Sequence, residues 1–170
     1  MAVLDKCWTP FFVYSWTSVK IGCYYAAMYT SVFHILFICY ALYVMDGGNS
    51  DEFYSPFFEL NRSGATYAGS FTIVFSFVFL LAAIMFVYGV KRENRCMFFP
   101  WFIGMSLEIL LMFGISIWFL FRYYHNPYSF LASFTLWCID GLHVYCMLCG
   151  ISHYQVLKEL QEPRFIILHP

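Results

Sequence analysis

The chain reads as an all-α integral membrane protein, a four-helix transmembrane bundle with both termini cytosolic. Composition gives the first reason: 62% of the 170 residues are hydrophobic, 24% aromatic and only 11% charged, against roughly 25% charged in soluble domains. A soluble fold of this size could not hide so much apolar surface. The distribution of charge gives the second. Charged residues gather in short clusters between apolar runs, and the only acids inside those runs are Glu108 and Asp140. The third is the basic knot Val90-Lys91-Arg92-Glu93-Asn94-Arg95, which separates two long apolar runs and resists entry into a bilayer.

From the N-terminus, residues 1–19 mix Trp8, Pro10, Phe11, Phe12, Tyr14 and Trp16 with few charges, the pattern of an interfacial aromatic stretch. A compact signal-peptide core with a small-residue cleavage site is not visible there, so the first span is expected to act as its own signal. After Lys20, residues 21–45 carry no charge except what His34 can acquire. Since about 20 helical residues cross roughly 30 Å of hydrocarbon, this is the first span. The Gly, Asn and acid-rich stretch that follows predicts an outer loop over residues 46–64, which contains the glycosylation sequon Asn61-Arg62-Ser63.

The second span is expected over residues 67–90, with Ser70, Thr72, Ser76, Ala82 and Ala83 small enough for close helix packing. An inner loop over 91–97 leads to a third span over 98–121, with Pro100 in the tolerated first turn and Trp101 at the interface. An aromatic turn precedes the fourth span, over 130–152, and an inner tail covers 153–170. Lys6, Lys20, Lys91, Arg92, Arg95, Lys158 and Arg164 then fall inside, and Arg62 and Arg122 outside. That bias obeys the positive-inside rule. There is one domain, with no internal repeat.

None of the seven cysteines lies in an outer loop, so a disulfide-stapled ectodomain is excluded. Cys146-x-x-Cys149 lies within a span and reads as packing, and no metal site or cofactor is implied. Cys7 and Cys96 flank spans on the inner side, where palmitoylation acts, although unmodified thiols explain them equally. Nucleic-acid binding has no basic patch to support it. No phosphate loop, zincin pattern or nucleophile triad appears, which argues against an enzyme.

Four ionisable side chains lie within spans: His34, Glu108, Asp140 and His143. At about 1.5 Å per residue, Glu108 and Asp140 both fall near the midplane, where they could face each other. Asp140 and His143, three residues apart, share a helix face. An acid in hydrocarbon is costly, so such residues face a bundle interior, a cavity or a partner. They serve either as interhelical polar contacts or as a proton or ion path, and His34 is explained by a bond to Thr30 or to a nearby helix. Tyr154-Gln155-Val156-Leu157 has the form of a sorting motif, which adaptors bind as an extended strand with Tyr154 and Leu157 in pockets.

The Cys-containing N-terminus leading into Lys20-Ile21-Gly22, Phe86-Val87-Tyr88-Gly89-Val90 closing the second span, Phe99-Pro100-Trp101-Phe102 opening the third, and Glu108 within it together resemble the lysosome-associated transmembrane family of small four-span proteins. The resemblance implies a late endosomal or lysosomal location and action through trafficking adaptors and membrane cargo. The tail lacks that family's Pro-Tyr motifs, so recruitment of ubiquitin ligases is not carried over. The layout also resembles the insect tetraspan proteins of septate junctions, which implies the cell surface. The paired-Cys loop of claudins is missing.

The function expected is that of a non-enzymatic tetraspan adaptor or accessory subunit. Its partners are other integral membrane proteins, the lipid bilayer and further copies of itself, held by aromatic span faces and the small residues of the second span. A proton- or ion-coupled transporter using Glu108, Asp140 and His143, and a cell-junction component, stand as alternatives.

Overall fold

The computed structural model describes residues 2–7, 17–48, 62–125 and 127–162. Four helices make up almost all of it: α1 (Val19–Met45), α2 (Arg62–Arg92), α3 (Phe99–Arg122) and α4 (Pro127–Gln161). The shortest, α3 with 24 residues, is about 36 Å long at the α-helical rise. All four are long and apolar enough to cross a membrane. Their outward faces carry Phe77, Ile84, Leu110, Phe121 and Phe130, each at least 60% exposed, a surface suited to hydrocarbon and not to water.

The helix ends follow local chemistry. Ser18 caps α1, its hydroxyl accepting from the Ile21 amide at 3.4 Å. At the other end Gly47 adopts φ 93°, and the Gly48 amide donates to the Tyr43 carbonyl at 3.0 Å. This is a Schellman close in which glycine supplies the left-handed residue. The end of α2 uses the same device without glycine: Glu93 takes φ 57°, and the Asn94 amide donates to the Gly89 carbonyl at 3.0 Å. Asn94 then caps a 3₁₀ turn, Arg95–Phe98, by accepting from the Cys96 amide. Pro100 lies in the first turn of α3, where a proline removes no helical hydrogen bond.

Helices α1 and α3 fall within two residues of the expected spans, whereas α2 begins at Arg62, five residues early and inside the expected outer loop 46–64, and α4 is longer at both ends. It starts at Pro127, whose fixed φ suits a first helical position. It continues nine residues past 152 because no breaker intervenes, and because Leu157, 3% exposed, packs into the core. The expected inner tail therefore begins as helix.

The chain also makes a short ribbon, β1 (Lys6–Cys7) antiparallel to β2 (Thr17–Ser18), which the sequence did not suggest. Of the expected interfacial aromatic stretch, residues 8–16 lie outside the described residues. The strap leading into β1 docks on α4, where the Val3 and Leu4 amides donate to Gln155 Oε1 and Ser152 Oγ at 2.9 Å each. Residues 2–7 thus lie at the end of the bundle where α4 finishes. That basic end also holds Lys20, which pairs with Glu93 at 3.1 Å, while the Glu93 carbonyl accepts from Gln161 Nε2 at 2.7 Å. Glu93 therefore clasps α1, the inner turn and α4 together.

Core packing is densest toward the basic end. Phe86 stacks on Trp101 with centroids 4.2 Å apart and meets Phe98 edge-on at 5.0 Å. Ala26, Ala27, Ala82 and Ala83 join this buried cluster, which brings α1 and α2 close together. Ser76, Ala82 and Ala83 thus face the interior of this bundle instead of offering a docking face to partner helices, because the bundle itself needs their small volume. Toward the other end a polar staple joins α3 and α4: the Trp137 indole donates to Ser116 Oγ at 2.8 Å, and the Ser133 hydroxyl to the Ser116 carbonyl at 3.0 Å.

Candidate functional site

Each helix sends a polar side chain to the bundle interior. His34 comes from α1, Ser76 from α2, Glu108 from α3, and Asp140 with His143 from α4, and none is more than 7% exposed. Glu108 lies between the two imidazoles. His34 Nε2 is 3.4 Å from its Oε2 and His143 Nε2 is 3.7 Å from its Oε1. These are ion-pair distances without hydrogen-bond geometry, and both Glu108 oxygens and both Nε2 atoms have no hydrogen-bond partner among the described residues. The two Asp140 oxygens are also without one, although Asp140 lies within electrostatic reach of His143 and Glu108.

The outer nitrogens define the rings. His143 Nδ1 is 2.9 Å from the Ile139 carbonyl, which only accepts, so Nδ1 carries a proton. In the neutral ring Nε2 is then an acceptor aimed at Glu108. His34 Nδ1 is 3.2 Å from Ser76 Oγ, a group that accepts or donates. Of the two supports expected for His34, Thr30 or a nearby helix, the structure has the second: the Thr30 hydroxyl donates to the Ala26 and Ala27 carbonyls of its own helix. Ser76, which the sequence marked only as small, is the partner. Nothing in its local sequence distinguishes it from other helical serines.

Aromatic rings sheathe this centre. Phe79 lies over His34 at 4.0 Å, and Phe33 and Tyr29 approach His143 at 5.0 and 5.5 Å. In such surroundings an unpaired charge is costly, and the Glu108 carboxyl, set between rings from α1 and α4, links the two helices through polar contacts. A cavity of about 300 Å³ adjoins it, with Glu108, His34 and Ser76 at its polar floor and Phe71, Phe75, Leu111 and Ile115 among its walls. Among the described residues, no group of three or more His, Cys, Asp or Glu side chains is arranged to hold a metal ion.

The remaining sequence candidates lie apart from this centre. Cys7 is fully buried against Val19, Cys149 and Tyr145, so it is not placed for lipidation in this conformation. A hydrogen bond with the Cys149 thiol holds its own thiol below the usual cysteine range, against the upward push of burial. Cys96 is exposed. Tyr154 and Leu157 lie on α4, where Leu157 is buried, and Tyr154 packs on Phe99 and Phe102 with centroids 5.8 and 6.3 Å away. That segment is helical and partly internal, not the extended strand that a sorting adaptor binds, because the core reaches past the predicted span. Asn61 lies outside the described residues.

A family model described as a domain of unknown function, DUF4728, matches residues 72–158. The match runs from α2 through α4 and takes in Ser76, Glu108, Asp140 and His143, while His34 on α1 lies outside it. Comparison with curated proteins and with solved structures found no match.

Proposed function

This chain belongs to the DUF4728 family, and we propose that it spans a membrane four times with its basic end in the cytosol, serving as a non-enzymatic adaptor or accessory subunit for other membrane proteins. One observation carries the reading. The ionisable groups face one another inside the bundle, while the outward faces of the four helices are apolar and aromatic. Glu108, Asp140 and His143 then hold the bundle's own register, and partners meet faces such as Phe77, Leu81 and Ile84 of α2. The resemblance to lysosome-associated four-span proteins favours endolysosomal trafficking, and the resemblance to septate-junction tetraspans favours the cell surface. Imaging of the tagged chain separates the two.

The test is purification in mild detergent with identification of co-purifying chains. A Phe77→Ala, Leu81→Ala, Ile84→Ala triple variant should lose a defined partner that Glu108→Gln retains. The opposite pattern would mean that partners bind through the polar cluster, and the reading fails. The meeting of His34, Glu108 and His143 inside the bundle favours a second reading, proton-coupled transport. For that reading Glu108→Gln should abolish proton-dependent flux in proteoliposomes.

A further inference from the structure

The cavity beside Glu108 has walls and a floor that ask for different chemistry. Its walls are mostly hydrocarbon and aromatic, yet Glu108 and His34 belong to its lining, and their Oε2 and Nε2 atoms stand 3.4 Å apart, both buried and both without a hydrogen-bond partner among the described residues. We propose that the cavity binds an uncharged lipid alcohol, its hydroxyl seated between Glu108 and His34 and its hydrocarbon along Phe71, Phe75, Leu111 and Ile115.

The choice of head group follows from the floor. His34 Nε2 donates or accepts according to its tautomer, and a carboxyl oxygen according to its proton, so a group placed between them must be able to do both. A hydroxyl does both, whereas an ammonium only donates and a carboxylate or phosphate only accepts. A charged head would also bring a further charge into a site walled by apolar and aromatic side chains. Water meets the hydrogen-bond requirement but not the volume. The cavity of about 300 Å³ has room for about ten waters at their share of liquid volume, and its apolar walls offer them no partners. Hydrocarbon fills such space at no desolvation cost. Access is lateral, since Phe71 and Leu111 at the rim are 63% and 47% exposed on the apolar surface between α2 and α3. In the proposed orientation the bilayer itself supplies the ligand.

Sterols and long-chain alcohols share this chemistry, so the experiment uses both. Protein reconstituted in phosphatidylcholine vesicles is labelled with photoreactive cholesterol or, separately, with a photoreactive long-chain alcohol. Each is competed with the unlabelled alcohol or with the matching hydrocarbon that lacks the hydroxyl. Labelling should map to residues 71–76 and 108–115, and the hydrocarbon should compete roughly ten-fold more weakly than the alcohol, as for a lost buried hydrogen bond. Whichever probe labels there identifies the lipid class. Ile115→Trp, which fills the cavity, should reduce labelling several-fold with an unchanged elution profile. Equal competition by hydrocarbon, labelling spread over all outward faces, or no labelling by either probe would overturn the proposal. Should Ile115→Trp fail to fold, competition on the unmodified chain decides alone.

Discussion

At the scale of single residues, Glu108 has the most to lose. Its carboxyl fills the space between two imidazoles, so Glu108→Ala leaves His34 Nε2 and His143 Nε2 facing a void. Neither ring nitrogen is hydrogen-bonded to Glu108, so what is lost is two close polar contacts and the carboxyl's volume. Polar couplings between membrane helices average about 0.6 kcal/mol, so a loss of about that size per contact is expected. Glu108→Gln keeps the volume and an acceptor and should lose less. Thermal unfolding in detergent ranks the three chains, and an alanine variant as stable as the parent would mean that the cluster contributes nothing to folding. Gly22 is a second sensitive point, since a Cβ there would collide with the Cys7 side chain. Although Cys7 is tuned toward its reactive thiolate, complete burial should decide its rate by denying access. Maleimide should therefore modify exposed Cys96 first and Cys7 slowly, and Gly22→Ala should make Cys7 reactive by displacing the strap.

At the scale of elements, the turn between α2 and α3 concentrates the strain. Glu93 occupies the left-handed region at φ 57°, which costs a non-glycine residue about 1–2 kcal/mol. Its exposed pair with Lys20 returns only about 0–1 kcal/mol. Glu93→Ala and Glu93→Gly both lose that pair, and only alanine keeps the Cβ. The glycine variant should consequently be more stable than the alanine variant by about 1 kcal/mol, read from paired unfolding curves. Equal stability would show that the turn relaxes out of the left-handed region once the Lys20 contact is gone. Sequence pattern located this turn from its charges, but the clasp to Gln161 depends on α4 reaching that far, which followed from burial of Leu157 and not from hydropathy.

At the scale of the whole molecule, the four helices bring the strap and the end of α4 to one end of the bundle, which carries Lys20, Lys91, Arg92, Arg95 and Lys158. With that end in the cytosol, a membrane-impermeant thiol reagent applied to intact cells should spare Cys96. It should label a cysteine introduced at Tyr124, which is 76% exposed at the opposite end. Labelling in the reverse sense would invert the topology and move the basic end outside. Apolar outward faces dominate the surface of the described bundle.

The number of helices, the bounds of α1 and α3 and the four ionisable positions inside the helices were legible in the chain itself. Apolar run length and the exclusion of charge from hydrocarbon act locally, and each leaves its mark on consecutive residues. Tertiary structure alone decided which groups meet. Glu108 sits between His34 and His143 because α1, α3 and α4 pack with those depths aligned, and Ser76 joins them because α2 turns that face inward. Burial of Cys7 against Cys149 arises from a contact between residues over a hundred positions apart, and the short ribbon from strands too brief to leave a pattern. Rotation of each helix about its axis is set by side-chain packing against its neighbours, and in helices apolar on every side hydropathy carries almost no signal of which face turns in.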